Sequence, residues 1–123
     1  MSFLSKIIKG IQTMLTGLDG NNVIDVNEFE DARKNDKNVI VVDVRNTDEL
    51  VGPLGQIENV INIPLNQLSS RIEELEKYRE NVITVICQSG GRSMMATKML
   101  LDQGFKAINV SGGMIQYRAA FRN

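Results

Sequence analysis

Apolar residues recur along this chain with two spacings, and the alternation between those spacings lays out its elements. Val23–Val26 reads as a short strand. Asn27, with Glu30 three residues on, reads as the N-cap of a helix that runs to about Lys34. Val39-Ile40-Val41-Val42 is a continuous β-branched run, the pattern of a strand buried on both faces of a parallel sheet, and it ends in Asp43-Val44-Arg45. Thr47-Asp48-Glu49-Leu50 reads as a brief helical turn before the loop Gly52-Pro53-Leu54-Gly55. Val60-Ile61 is another short strand, closed by Pro64, and Leu65, Leu68, Ile72 and Leu75 then recur at helical intervals through an acidic segment. Val82–Ile86 is the central strand, followed by a methionine-rich helix over Met94–Leu101 that Gly104 ends. Ala107–Val110 is the last main strand, and a helix over Met114–Phe121 closes the chain. The methionines read as core filler rather than as a binding stripe.

This βαβα order with short connections predicts an α/β fold, an open and mostly parallel five-stranded sheet with helices on both faces. Right-handed crossovers place the loops after Asp43, Ile86 and Val110 at the C-terminal edge of that sheet, where ligands bind in open α/β folds. The Asp43–Arg45 turn and the Ser111-Gly112-Gly113 turn are therefore expected to converge on the loop after Ile86.

Ahead of this pattern stands a different one. Positions 3, 4, 7, 8, 11, 14, 15 and 18 are apolar, the spacing of an amphipathic helix with one broad face. Residues 1–20 thus read as an extension, and residues 21–123 as the domain proper. Ser5, Lys6, Lys9 and Gly10 interrupt any continuous apolar core, so the segment does not read as a signal peptide. It is also too short and broken to span a bilayer. Its apolar face is expected to dock on protein, in cis or in a dimer, with a membrane surface as the alternative. The expected location is the cytoplasm, with peripheral membrane association left open.

Length and composition narrow the chemistry. A chain of 123 residues is one domain, large enough to bury roughly two-thirds of its unfolded surface. The single cysteine, Cys87, permits no internal disulfide, which fits a reducing compartment. The absence of histidine excludes Cys-His dyads, Ser-His-Asp triads and histidine metal sites, and neither a metal nor a cofactor is expected. Charge is unevenly spread: residues 21–81 carry 7 basic and 13 acidic side chains, whereas residues 92–123 carry 5 basic and only Asp102 acidic. The electropositive segment after Cys87 suits a small anionic substrate. Nucleic acid is not expected as a partner, since no dense basic run is interleaved with aromatics.

The candidate chemistry sits in V-I-T-V-I-C-Q-S-G-G-R-S, residues 82–93. A strand runs into Cys87, a loop of Gln88-Ser89-Gly90-Gly91 follows, and Arg92 and Ser93 open a helical pattern. A lone cysteine at a strand end is usually a small buried hydrophobe. Two successive glycines and an arginine serve no such purpose. A helix N-terminus leaves N–H groups unpaired and carries partial positive charge, so it stabilises a thiolate or a bound anion. Gly90 and Gly91 let the backbone curl with positive φ where needed, and Arg92 adds a forked cationic donor. Helix terminus and Arg92 together are expected to hold the Cys87 thiol below its ordinary range. The spacing matches neither the G-x-x-x-x-G-K-[ST] phosphate loop nor the G-x-G-x-x-G fingerprint.

Four segments in order complete the picture: Asp43-Val44-Arg45, Gly55–Pro64, Cys87–Ser93 and Gly112–Tyr117. Together they resemble the successive signatures of a single-domain rhodanese over about residues 22–121. The resemblance implies a sulfurtransferase in which Cys87 takes sulfane sulfur from thiosulfate or another donor as a persulfide. A thiophilic acceptor, cyanide or a protein thiol, then collects it. It implies Gln88, Ser89, Gly90, Gly91, Arg92 and Ser93 as the substrate-binding loop, with Asp43 and Arg45 in support. Four residues separate Cys87 from Arg92, as in the sulfur-transferring members, whereas the related dual-specificity phosphatases have five. The other reading left open is a sulfur-carrier or regulatory module loaded by a protein partner. Gln56 and Tyr117 stand where the family usually has His and Trp, and the loop carries a single cation.

Overall fold

The computed structural model describes residues 22–122. The helix expected over residues 3–18 and the boundary at residue 20 lie outside the described residues.

The first strand is shorter than its apolar pattern. β1 covers Val23–Ile24, because Asp25 leaves the sheet to cap helix α1, Val26–Asn35. Asp25 Oδ1 accepts from the Glu28 amide at 2.8 Å, and Glu28 Oε1 accepts from the Asp25 amide at 3.1 Å. This is a reciprocal capping box. The cap expected at Asn27 is therefore displaced by two residues. Asp25-x-x-Glu28 has the same spacing as Asn27-x-x-Glu30, and only the earlier pair leaves Val26 and Phe29 facing the core.

β2 spans Ile40–Asp43 and leads to a 3-10 turn over Thr47–Val51. β3 is Ile61–Asn62. The stripe from Leu65 to Leu75 folds as two 3-10 segments, Leu65–Gln67 and Ile72–Tyr78, around one α-helical turn, α2, Leu68–Arg71. Leu68 and Leu75 are the fully buried anchors of that segment. β4 spans Val82–Ile86, α3 Gly91–Asp102, β5 Lys106–Val110 and α4 Gly113–Ala120.

All pairings among the five strands are parallel, in the order β1-β5-β4-β2-β3. β4 is central and buried along its whole length, as its unbroken apolar run requires. Side chains alternate across it: Val82 and Ile86 join the cluster formed with α1 and α4, while Ile83, Val85 and Cys87 join the cluster beneath α2 and α3. That alternation aims Cys87 at the start of α3.

The methionine expectation is corrected for Met94 and Met95, whereas Met99 packs against the core as expected. Ser93, Ala96, Thr97 and Leu100 form the buried face of α3, and the helical period then turns Met94 and Met95 outward, each 61% exposed. With Asn22, Val23, Thr97, Lys98 and Asn109 they line a mainly apolar groove of about 220 Å³. No helix among the described residues is long and apolar enough to cross a membrane.

Candidate active site

Cys87 follows the last residue of β4 and is a free thiol, 1% exposed. The backbone reverses immediately after it, through exposed Gln88 and Ser89 to Gly90 at φ 111°. A side chain at Gly90 would be strained at that angle. Of the two glycines expected to curl the loop only Gly90 takes positive φ, and the space around Gly91 is open.

Gly90 precedes α3 without a side chain to cap it. The sulfur fills that role. Cys87 Sγ accepts from the Gly90 amide at 3.1 Å and from the Ser93 amide at 3.3 Å, and Ser93 Oγ lies 3.3 Å away. Burial pushes the Cys87 thiol up, but the Ser93 hydroxyl and the amides of Ser93, Gly90 and Ser89 pull it down further. Its pKa ends below the ordinary value. The helix terminus acts here through named donors rather than as a diffuse dipole.

The loop is clamped from behind by the second glycine pair. Met114 N donates to Cys87 O at 2.8 Å and Ile115 N to Gln88 O at 3.0 Å, so the N-terminus of α4 is spent on holding the loop backbone. Gly113 makes this approach attainable, since a Cβ there would lie 2.5 Å from both carbonyl oxygens.

Asp43 and Arg45 meet at the opposite wall. Both are buried, with Arg45 Nη2 2.7 Å from Asp43 Oδ2 and Nε also bonded to the carboxylate. Arg45 reaches onward to Gly55 O at 2.7 Å and to Glu49 O at 3.4 Å. The pair thereby ties the 3-10 turn and the following loop to the end of β2.

That turn presents Glu49 to Arg92. The two form a double hydrogen bond, Nη1 to Oε1 at 2.8 Å and Nη2 to Oε2 at 2.9 Å. The Arg92 hydrogen bond holds the Glu49 carboxyl below its usual range, and Glu49 in turn raises Arg92, which also feels the charges of Cys87 and Asp43. Open depressions flank the pair, about 170 Å³ beside Arg45, Glu49, Leu54 and Gln88, and about 360 Å³ beside Val44, Asn66 and Arg92.

Two residues of this site escaped the sequence reading. Glu49 was visible only as part of a short turn. Asn109 interrupts the apolar run Ala107-Ile108-Asn109-Val110, and that interruption was the available signal; its Oδ1 lies 2.6 Å from Ser93 Oγ. Gln56 is exposed and contributes its carbonyl to Arg118 at 3.3 Å. Tyr117 is buried edge-to-face on Phe29 and donates its hydroxyl to Glu30 Oε1 at 2.8 Å. Among the described residues, no three acidic or cysteine side chains gather into a metal-binding group.

The chain is similar in sequence and fold to known proteins. The family described as Rhodanese-like domain matches residues 18–120. A Bacillus subtilis (strain 168) protein named "Putative sulfurtransferase YtwF" is 38% identical over 82 residues, 67% of this chain and 76% of that protein. "Putative sulfur carrier protein YrkF" of the same organism is 37% identical over 92 residues, 74% of this chain but 48% of its own length. A crystal structure of a rhodanese-related protein from Thermoplasma volcanium superposes with a TM-score of 0.69 at 34% identity, covering 80% of this chain and 91% of that one. Because the family match takes in every strand of the sheet, the Cys87 loop and both glycine turns, the chain belongs to the rhodanese-like domain family.

Proposed function

We propose that the chain is a sulfurtransferase that carries sulfane sulfur as a persulfide on Cys87. The observation that carries this reading is the thiol at the start of α3, taking two backbone N–H donors and lying beside the Ser93 hydroxyl. A thiolate stabilised in this way attacks without a separate base, in keeping with a chain that lacks histidine.

With thiosulfate as donor, the Cys87 thiolate attacks the outer sulfur and forms the Sγ–S bond. The donor's S–S bond breaks, and sulfite leaves with its electron pair. A thiophilic acceptor, cyanide or a thiolate, then attacks the terminal sulfur, and Sγ departs as thiolate. No external oxidant or reductant enters, because sulfur passes between nucleophiles. The loop amides face the negative charge on Sγ, and Arg92 stands beside the path of an anionic donor. Support comes from this geometry and from a relative named as a sulfurtransferase.

Thiosulfate incubation followed by mass spectrometry tests the proposal. Wild type is expected to gain the mass of one sulfur atom, removable by a thiol reductant. Equal sulfur transfer by wild type and Cys87→Ser would overturn it.

One observation favours a second reading. The loop's single cation, Arg92, is already committed to Glu49, which leaves little free charge for a small dianion. A carrier module loaded by a partner protein has no need of that charge, and a relative is named as a sulfur carrier. Turnover seen only with a partner protein would favour this reading, and rapid thiosulfate:cyanide exchange by the isolated chain would exclude it.

A further inference from the structure

Asn109 is a polar side chain within β5, 3% exposed, and its amide reaches the hydroxyl beside Cys87. Asn109 Oδ1 lies 2.6 Å from Ser93 Oγ, and Nδ2 lies 3.5 Å from Gly90 O. Ser93 Oγ is also 3.3 Å from Cys87 Sγ and 3.2 Å from Gly90 O. One hydroxyl proton therefore faces three acceptors, and which of them receives it depends on the charge of the sulfur.

With a neutral thiol every group is served: Cys87 S–H donates to Ser93 Oγ, and Ser93 O–H donates to Asn109 Oδ1. A thiolate has no proton to give and requires a donor. When the Ser93 hydroxyl turns to the sulfur, its oxygen is left facing Asn109 Oδ1, acceptor against acceptor at 2.6 Å. Half a turn of the amide brings Nδ2–H to Ser93 Oγ and restores the bond. The contact given up, Nδ2 to Gly90 O at 3.5 Å, is too long to hold the amide in place. The backbone need not move, because the Asn109 amide N–H stays bonded to Asn22 O at 2.8 Å.

We propose that Asn109 is a positioning residue for the nucleophile. Its amide turns over as Cys87 loses its proton to solvent, so that Ser93 donates to the thiolate while remaining hydrogen-bonded itself. This role rests on the reading of Cys87 as the nucleophile. The charged groups around Cys87 are Arg92 on α3, Glu49 on the 3-10 turn and the Asp43–Arg45 pair at the end of β2. None of them is a side-chain hydrogen-bond partner of Ser93 or Asn109 among the described residues, so substitutions at those two positions leave the charges in place.

The test is the pH dependence of Cys87 alkylation by iodoacetamide in the full chain, for wild type, Ser93→Ala, Asn109→Leu and the double variant. Asn109→Leu removes the donor that supports the turned Ser93 hydroxyl, so the midpoint rises and alkylation below it slows roughly three- to tenfold. In the Ser93→Ala background the same substitution adds little, because the two act as one unit. Wild-type NMR gives a second measurement that needs no variant: the Asn109 Nδ2 protons shift with the alkylation midpoint. A low wild-type midpoint with Asn109→Leu unchanged, equal shifts in both backgrounds, or an unresponsive Asn109 amide would overturn the role of Asn109 alone. A wild-type midpoint at or above the ordinary thiol value would sink the nucleophile reading, and this role with it.

Discussion

Glu49 and Arg92, 43 residues apart in sequence, meet in a two-pronged ion pair at 2.8 and 2.9 Å across the mouth of the Cys87 loop. The pair is partly exposed, with side chains 27% and 33% accessible, so its contribution to stability is small. Its consequence is for charge. The cation closest in sequence to the nucleophile is held by a carboxylate.

Releasing that cation is expected to help an anionic donor. Glu49→Gln should lower KM for thiosulfate several-fold, whereas Arg92→Ala should weaken donor binding by about 1.5–3 kcal/mol through loss of a charge-assisted contact. Steady-state kinetics on both variants checks this. A raised KM in Glu49→Gln would show that the carboxylate positions Arg92 rather than restraining it.

The two loop glycines are expected to differ. Gly90 sits at φ 111° beside Gly112 N, so Gly90→Ala should strain the loop and lower both melting temperature and sulfur loading. Gly91 has ordinary φ and open space, so Gly91→Ala should be neutral or stabilise by up to about 1 kcal/mol. Thermal melts of both variants decide, and equal losses would contradict the backbone assignment.

Thiol acidity follows from the donors on Sγ. The Cys87 alkylation midpoint should lie below the roughly 8.5 of a free cysteine, because hydrogen bonds from Ser93 and the loop amides outweigh burial. The depressed folded pKa also adds stability above that value, and this is lost as pH falls through the folded midpoint. Cys87→Ser should therefore lose more melting temperature relative to wild type at pH 9 than at pH 6, and a constant difference would count against the shift.

Tyr117 should act through Glu30. Burial raises the Glu30 carboxyl, but hydrogen bonds from Arg33 and Tyr117 outweigh it and leave the pKa below 4.5. The stability stored in that depression is present above pH 4.5 and is lost as pH falls through the folded value. Tyr117→Phe should cost about 1 kcal/mol near neutrality. The difference should narrow in acid. Thermal melts against pH would show it, and a gap that widens below pH 4.5 would reverse the sign.

Asn22, the first described residue, lines the apolar groove together with Val23, Met94 and Met95. Eight apolar positions on one helical face require a partner, and an isolated helix of that length is marginal in water. Deleting residues 1–20 should lower the melting temperature or change the elution volume, with no change in liposome co-sedimentation. Unchanged melting and elution together with lost liposome binding would assign the segment to a membrane surface.

What the sequence determined by itself is what depends on neighbouring residues. The order of strands and helices, the buried run Val82–Ile86, Cys87 at its end and the four-residue loop to Arg92 are legible because period-2 and period-3.6 patterns and turn residues are local properties. Tertiary structure decided whatever depends on which strand lies beside β4 and how each helix is rotated on the sheet. Parallel pairing of β4 with β2 and β5 brings the Glu49 turn and Asn109 to opposite sides of the Cys87 loop, a placement that no spacing in the chain encodes. The rotation of α3 seats Ser93 inward and turns Met94 and Met95 outward, and the end of β1 selects Asp25 over Asn27 as the cap. In each case the alternatives are equivalent locally, and burial against a neighbouring element separates them.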